Sequence, residues 1–367
     1  MLESINLITF REEWNFVNLK MKVNKPYILL LLIATSIFSI IDLNAQSTVE
    51  EKANLDQIYG KTWQALGPKL NTVIKNCNNR DILSELSNKY NLNSTILRRF
   101  LIYTQNYTNT ELSLEKVLYR YPHYNADSIK VDFKTLSSFK LINKDEVSRE
   151  YHTTHRGNQI LDSYWQLRMT QTKDCNTISE EHLNIFKTVL EKIVIEAKNL
   201  EEYGSQSVKW RMKSRSKDFN NFPIILQVSE LLKEYTAFVN DVGHYKYNHL
   251  ISQTNNTNWV DLKLSPLAKE LMSATRNKRI YDLNRCYNQP NWRVGKLGCN
   301  IAVEELIKIG FIELNEQDIN QTNQGSEISI LAEALSDKIR YSTWGTITVN
   351  EYEEFVEGIS WMLKNSQ

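Results

Sequence analysis

The sequence predicts a mainly helical α+β protein with small β hairpins, organised as two related units joined by a helical connector. Three observations predict it. Only eleven glycines and six prolines occur in 367 residues, a composition that favours helix. From Asn54 onward apolar residues recur at helical spacing through most of the chain. And a helix, two short strands, a Thr-x-x-Gly step and another helix occur twice in that order.

The first 46 residues stand apart. Lys20, Lys22 and Lys25 precede the apolar run Tyr27 to Ile41, and "DLNAQS" follows with the small residue Ala45. A basic stretch, a short apolar run and a small residue make a secretory signal, or an anchor if uncleaved. The "NAQS" ending resembles signal peptides common in the Bacteroidetes, and Met21 is a natural start for one. Export or membrane anchoring is therefore expected, with a cytoplasmic location if the start site lies elsewhere or the segment is not used.

"RDILSELSNKY" sets Ile82, Leu83, Leu86 and Tyr90 on one helical face, and "NSTILRRFLIYTQNY" continues with Ile96, Leu97, Phe100 and Leu101. A short helix, "SLEKVLYRY", stops at Pro122, and "NADSIKVDFKTLSSFKLI" carries Ile129, Phe133, Leu136 and Phe139. "KLINKDEVSREYHTT" reads as two short strands around a charged turn, with a helix from Arg156. This is winged helix-turn-helix order. Within it Thr154-x-x-Gly157 turns the returning strand into the next helix, and a positive φ would explain the glycine. His152 and His155 then lie at a wing's edge and share no helix face, so no metal site is expected there.

The second copy aligns "LSSFKLINKDEVSREYHTTHRGNQIL" with "LIKIGFIELNEQDINQTNQGSEISIL". Leu141-Ile142 matches Phe311-Ile312, and Thr154 and Gly157 match Thr322 and Gly325 as the structural wing turns. Its helices are "LSPLAKELMSA", "RIYDLNRCY" and "WRVGKLGCNIAVEELIKIGFI". The expected divisions are 1–46, signal or anchor; 54–170, N-terminal winged-helix domain; 177–250, connector; and 262–367, C-terminal winged-helix domain with terminal helices.

In the connector Leu183, Phe186, Leu190, Ile193, Ala197 and Leu200 form a narrow apolar seam, with Thr177-x-x-Glu180 as its capping box. A further helix from Pro223 carries Ile225, Val228, Leu232, Tyr235 and Val239. The last helix repeats the seam at Tyr352, Phe355, Ile359 and Met362. Such seams pack inside a chain or form a homodimer interface. Of four scattered cysteines, Cys286 and Cys299 could pair, but buried unrelated thiols are the expectation.

Together "EYHTTHRGNQIL", "LLKEYTAFVNDVGHYKYNHL" and "AEALSDKIRYSTWGTI" resemble a little-characterised bacterial family of tandem MarR-like winged helix-turn-helix proteins. The likeness runs from about Leu55 to Leu363. It implies DNA binding or transcriptional control. Asp241 and His244 occupy the place where relatives carry an acidic residue and a histidine.

Catalysis is not expected: no nucleophile elbow, zinc-binding helix, phosphate loop or dinucleotide glycine pattern is present. His244 and His249 are five apart and rotate past a common face, so no metal or cofactor is expected. Net charge is +1, so binding to double-stranded DNA must come from local patches. The candidates in the first unit are Asn125, Ser128, Lys130, Lys134, Thr135 and Ser138 on the third helix, with Arg149, His152 and Arg156 on the wing. The second unit offers Asn291, Arg293, Lys296 and Asn300. "KWRMKSRSK" adds Lys209, Arg211, Lys213, Arg215 and Lys217, while Asp127 and Asp132 oppose a strong DNA face. The function expected is a tandem winged-helix DNA-binding or regulator-like protein. The alternative is an exported or anchored protein using the same fold as a protein-interaction scaffold with a protein partner.

Overall fold

A computed structural model describes residues 49–76, 81–104, 111–121, 124–173, 178–200, 219–253, 264–289 and 295–365. The leader expected over 1–46 and the basic run Lys209 to Lys217 lie outside them. The architecture is mainly helical, with short antiparallel strand pairs.

The first unit runs α2 (Ile82–Tyr90), α3 (Ser94–Thr104), β1 (Glu111–Leu112), α4 (Leu114–Arg120), α5 (Ala126–Ser138), β2 (Ile142–Lys144), β3 (Tyr151–Thr153) and α6 (His155–Lys173). The preceding α1 spans Val49–Asn76. Asp81 caps α2 by accepting from the Ser84 N–H, and Asn125 caps α5 by accepting from Asp127 and Ser128. Each cap satisfies a donor that the first turn leaves open. The strands form one sheet in the order β1-β3-β2, all antiparallel. Expectation had two strands here; β1 is the third, too short to show as an alternating pattern.

The second unit runs α9 (Pro266–Arg276), α10 (Leu283–Tyr287), α11 (Gly295–Lys308), β4 (Ile312–Asn315), β5 (Asp318–Gln321) and α12 (Asn323–Ser342). Here the first strand shrinks to one bridge, Asp282 with Asp318, flanked by Ile319 N–H to Tyr281 O and Leu283 N–H to Gln317 O. Between the units lie α7 (Glu180–Asn199) and α8 (Ile224–Gln253), and α13 (Val349–Asn365) ends the chain.

Each unit has its own core. Leu86, Phe100, Ile129, Phe133, Leu136, Leu141, Ile142 and Ile160 fill the first; Leu271, Met272, Cys299, Val303, Leu306, Phe311, Ile312 and Ile328 fill the second. The repeat reaches into the backbone. Thr154 Oγ1 donates to Lys140 O and accepts from the Gly157 N–H; Thr322 Oγ1 donates to Gly310 O and accepts from the Gly325 N–H. The Thr154 and Thr322 N–H groups donate to Leu141 O and Phe311 O, each at 3.1 Å.

The reason for the two glycines differs from the expected one. Neither Gly157 nor Gly325 has a positive φ. A Cβ on Gly157 would lie 2.3 Å from Leu141 O, and one on Gly325 would lie 1.8 Å from Phe311 O. The helix start is pressed too closely for any side chain onto the residue that leads into the hairpin's first strand. Positive φ occurs instead one residue before each strand pair's first core residue, at Lys140 (56°) and Gly310 (78°).

The seams cover each other within the chain. Leu183, Phe186, Leu190 and Ile193 of α7 are buried against α8 and α13, with Phe186 meeting Phe355 edge-on at 5.4 Å. The α7 seam therefore packs inside the chain, the first of its two expected uses. Thr177 lies outside the described residues, and Ser179 caps α7 by accepting from the His182 N–H. The segment expected to open the N-terminal domain, α1, packs instead on later helices. Tyr59 stacks on Tyr352 at 3.8 Å, and Trp63 contacts Tyr235, Trp344 and Phe355. Aromatic area decides this, because such rings bury more surface than any other side chain.

The expected unpaired thiols are corrected at Cys286 and Cys299, which form a disulfide with Cα atoms 6.1 Å apart. It ties α10 to α11, and both sulfurs sit in the second core. Cys77 and Cys175 lie outside the described residues. Among the described residues no helix is long and apolar enough to cross a membrane.

Candidate nucleic-acid interface

The helix that precedes each hairpin, α5 and α11, and the hairpins themselves position the residues expected to read DNA. Helix periodicity fixes which side chains leave the core. In α5, Ile129, Phe133 and Leu136 face inward, which turns Asp127, Lys130, Val131, Lys134 and Ser138 to solvent.

Most of the polar candidates are already engaged. Asn125 spends its carboxamide oxygen on the N-cap, accepting from Asp127 N–H at 2.8 Å and Ser128 N–H at 3.0 Å. Thr135 and Ser138 donate to Val131 O and Thr135 O, the local bonding that hydroxyls make inside helices. Lys130 reaches Asp127 at 3.0 Å, both exposed. Lys134 is exposed and makes no contact of this kind among the described residues.

Arg156 departs most from expectation. It is half-buried, and its guanidinium donates to Phe139 O at 3.1 Å and Tyr90 O at 3.0 Å. It ties the ends of α5 and α2 to the start of α6, a structural task that engages its guanidinium. His152 sits half-buried on β3, the central strand, opposite Glu111 and Asn143. Arg149 stays exposed in the hairpin, at φ 60°. The same hairpin carries Asp145, Glu146 and Glu150. The Ser148 and Val147 N–H groups hold the Asp145 carboxyl below the usual carboxylate range, so its charge is firmly negative.

Asp132, expected to oppose DNA from the surface, points into the core. It pairs with Arg99 at 2.6 Å and accepts from the Tyr103 hydroxyl at 2.5 Å. The matching position of α11 is Ala302, so this buried network belongs to the first unit alone.

In the second unit Asn291 and Arg293 lie outside the described residues. Asn300 accepts from the Tyr287 hydroxyl at 3.0 Å, and Lys296 lies over the Tyr287 ring. The exposed surface of α11 nevertheless carries two large apolar side chains, Leu297 at 74% and Ile301 at 55% exposed, between the exposed Lys296 and Glu304. The neighbouring hairpin exposes Glu313, Glu316 and Asp318. Expectation overlooked Leu297 and Ile301. Their spacing of four, out of phase with the core residues Cys299, Val303 and Leu306, is the signal that places them outward. It also overlooked Lys140 and Lys144, exposed beside the first hairpin.

Elsewhere, His249 Nδ1 meets the Tyr245 hydroxyl at 2.5 Å and their rings stack. Of the expected Asp241–His244 pair, the His244 side chain lies outside what is described. No cluster of three or more His, Cys, Asp or Glu suited to a metal occurs among the described residues. The chain matches no family model, no curated protein and no solved structure.

Proposed function

We propose that this protein is a pair of winged helix-turn-helix units used as a protein-interaction scaffold in an oxidising compartment. The winged-helix reading is supported by the element order, by the β1-β3-β2 strand order, and by the repeated threonine cap. The Asp282–Asp318 bridge stands where the first strand would be in the second unit.

The observation that carries the interaction reading is the outward face of α11. A winged helix that reads DNA sends polar side chains of this helix into the major groove, while the wing tracks the phosphates. Here Leu297 and Ile301 occupy that face, and the hairpin is acidic where phosphates would lie. Acidic groups there repel a polyanion instead of displacing its counterions. Apolar residues rimmed by carboxylates suit a protein partner with an apolar stripe flanked by Lys or Arg. The Cys286–Cys299 disulfide favours a compartment outside the reducing cytoplasm, in keeping with the leader-like N-terminus.

A second reading, duplex DNA, draws on Lys130, Lys134, Lys140 and Arg149, four exposed cations of the first unit. One experiment separates the two. A photo-crosslinking residue at Ile301, in the expressing cell, is expected to give discrete protein adducts that Leu297→Glu removes. In parallel, residues 46–367 are titrated with labelled duplex at low salt. Salt-sensitive duplex binding abolished by Lys134→Ala with Arg149→Ala, without protein adducts, would overturn the interaction reading.

A further inference from the structure

A cleft of about 250 Å³ opens between α8, α9 and α12, away from α11 and both hairpins. Its wall is charged to an unusual degree: Lys246, Lys269, Arg279 and Arg340 face it, with Glu270 and Glu333. The lining is more polar than the common lining of ligand pockets, so recognition here rests largely on charge and hydrogen bonds.

The partners within the wall are unevenly distributed. Glu333 is fully served: Arg340 reaches it at 3.2 Å, Lys246 at 3.5 Å and Arg276 at 3.9 Å. Arg340 also holds Asp337 at 2.5 Å. Lys269 is the opposite case. It is 7% exposed, yet its ammonium makes no hydrogen bond or ion pair among the described residues. The carboxylate that acts on it through space is Glu305, which is itself occupied by the Ser265 N–H at 2.6 Å. A second orphan stands across the cleft. Ser336 is 2% exposed and lines the same space, and its hydroxyl has no hydrogen-bond partner among the described residues.

A buried hydroxyl without a partner is costly, and an ammonium drawn mostly out of water without an ion pair is poorly compensated. Both residues line one cleft whose cations, Lys246, Lys269, Arg279 and Arg340, outnumber its carboxylates, Glu270 and Glu333. What satisfies several donors in a small polar cavity is an anion with several acceptor oxygens. Burial lowers the proton affinity of both Lys246 and Lys269, which is the mark of ammonium groups short of negative charge.

We infer that this cleft is a binding site for a small oxyanion, a carboxylate or phosphate group held by Lys269 and the Ser336 hydroxyl with Lys246 and Arg279 beside it. The bound anion bridges α8 to two helices of the second unit, α9 and α12. The site stands independently of the interaction reading for α11, since it shares no residue with that face.

The test uses the full chain at constant ionic strength, titrated by calorimetry with inorganic phosphate and, separately, with succinate. Saturable binding of one equivalent is expected, accompanied by a rise in melting temperature that saturates with it. Binding of phosphate alone assigns a phosphate group; binding of succinate alone assigns a carboxylate. Lys269→Met, which keeps the aliphatic stem, should weaken binding by about ten-fold or more, as loss of a charged hydrogen bond does. Its ligand-free melting temperature should be unchanged or higher, because an unpaired buried charge has been removed. A lysine with a merely structural role would lower it. Ser336→Ala gives a second, milder loss of affinity and serves if Lys269→Met does not fold. Absence of saturable binding of either anion at tens of millimolar, or wild-type affinity in both variants, would overturn the assignment.

Discussion

Replacing Gly325 with alanine tests the joint on which the repeated fold turns. The added methyl would stand 1.8 Å from Phe311 O, 2.7 Å from its carbonyl carbon and 3.0 Å from its Cα. An ordinary carbon–oxygen contact is on the order of 3.3 Å, so the helix start must retreat by roughly 1.5 Å. The obstacle is backbone and cannot swing aside. Retreat also stretches the Thr322 N–H to Phe311 O bond (3.1 Å) and the Thr322 Oγ1 to Gly310 O bond (2.6 Å), which pin the same joint. Overpacking of this kind typically costs about 1–3 kcal/mol, and loss of cap geometry adds about 1 kcal/mol. Alanine returns up to about 1 kcal/mol of helix propensity, leaving a net loss of roughly 1–3 kcal/mol. In a chain of 367 residues that lowers the melting temperature by roughly 1–4 °C. Thermal unfolding by circular dichroism reads it, with the exposed neighbour Ser326→Ala as a control expected within about 0.5 kcal/mol of wild type. Gly157→Ala, whose methyl would be 2.3 Å from Leu141 O, should cost less. Thr322→Ala and Gly325→Ala together should cost less than their sum, because both loosen one joint. An unchanged or raised melting temperature for Gly325→Ala would refute the close-approach argument.

Three further outcomes are expected. Cys286→Ser with Cys299→Ser should destabilise the second unit by about 3 kcal/mol, the entropy of a loop whose ends are 13 residues apart, with a matching shift of the wild type on reduction; denaturant midpoints with and without reductant check this. Glu230, buried between Lys233 at 2.6 Å and Arg168 at 2.9 Å, has its carboxyl held down at about 2 because those two cations outweigh burial. A depressed folded-state pKa contributes stability that is present above the ordinary value of 4.5 and is lost as pH falls toward 2. Acid unfolding should therefore steepen in that window, and Glu230→Gln should be less stable at neutral pH and flatter through the window, by stability curves at stepped pH. Finally, Arg156→Ala should cost about 2 kcal/mol, because two half-buried carbonyl partners lose a charged donor, whereas Lys134→Ala should stay within about 0.5 kcal/mol. Equal melting temperatures for the two would remove the structural role given to Arg156.

The sequence by itself determined the local elements and their repetition. Apolar spacing marked α5 and α11, and the Thr-x-x-Gly steps marked where strand gives way to helix, since both are effects within a few residues of chain. The recurrence of Leu141-Ile142 as Phe311-Ile312 was legible for the same reason: identical local geometry demands similar residues at identical spacing. What depended on distant partners was decided only by the tertiary structure. Gly157 and Gly325 could be read as turn residues, but that they are glycines for want of space appears only when the Leu141 and Phe311 carbonyls, at the entrance of each hairpin, lie against them. Arg156 looks like any wing cation until Tyr90 and Phe139 present their carbonyls to it. Asp132 looks like a surface acid until Arg99 and Tyr103, a helix away, bury it. α1 stands beside the first unit in the chain, yet its aromatic side chains pack on α8 and α13. The oxyanion cleft was beyond any motif, because Lys246, Lys269 and Ser336 come from three separate helices and meet only where those helices pack. Spacing encodes what a residue's neighbours along the chain require of it; burial, pairing and the lack of a partner are set by which surfaces the whole chain brings together.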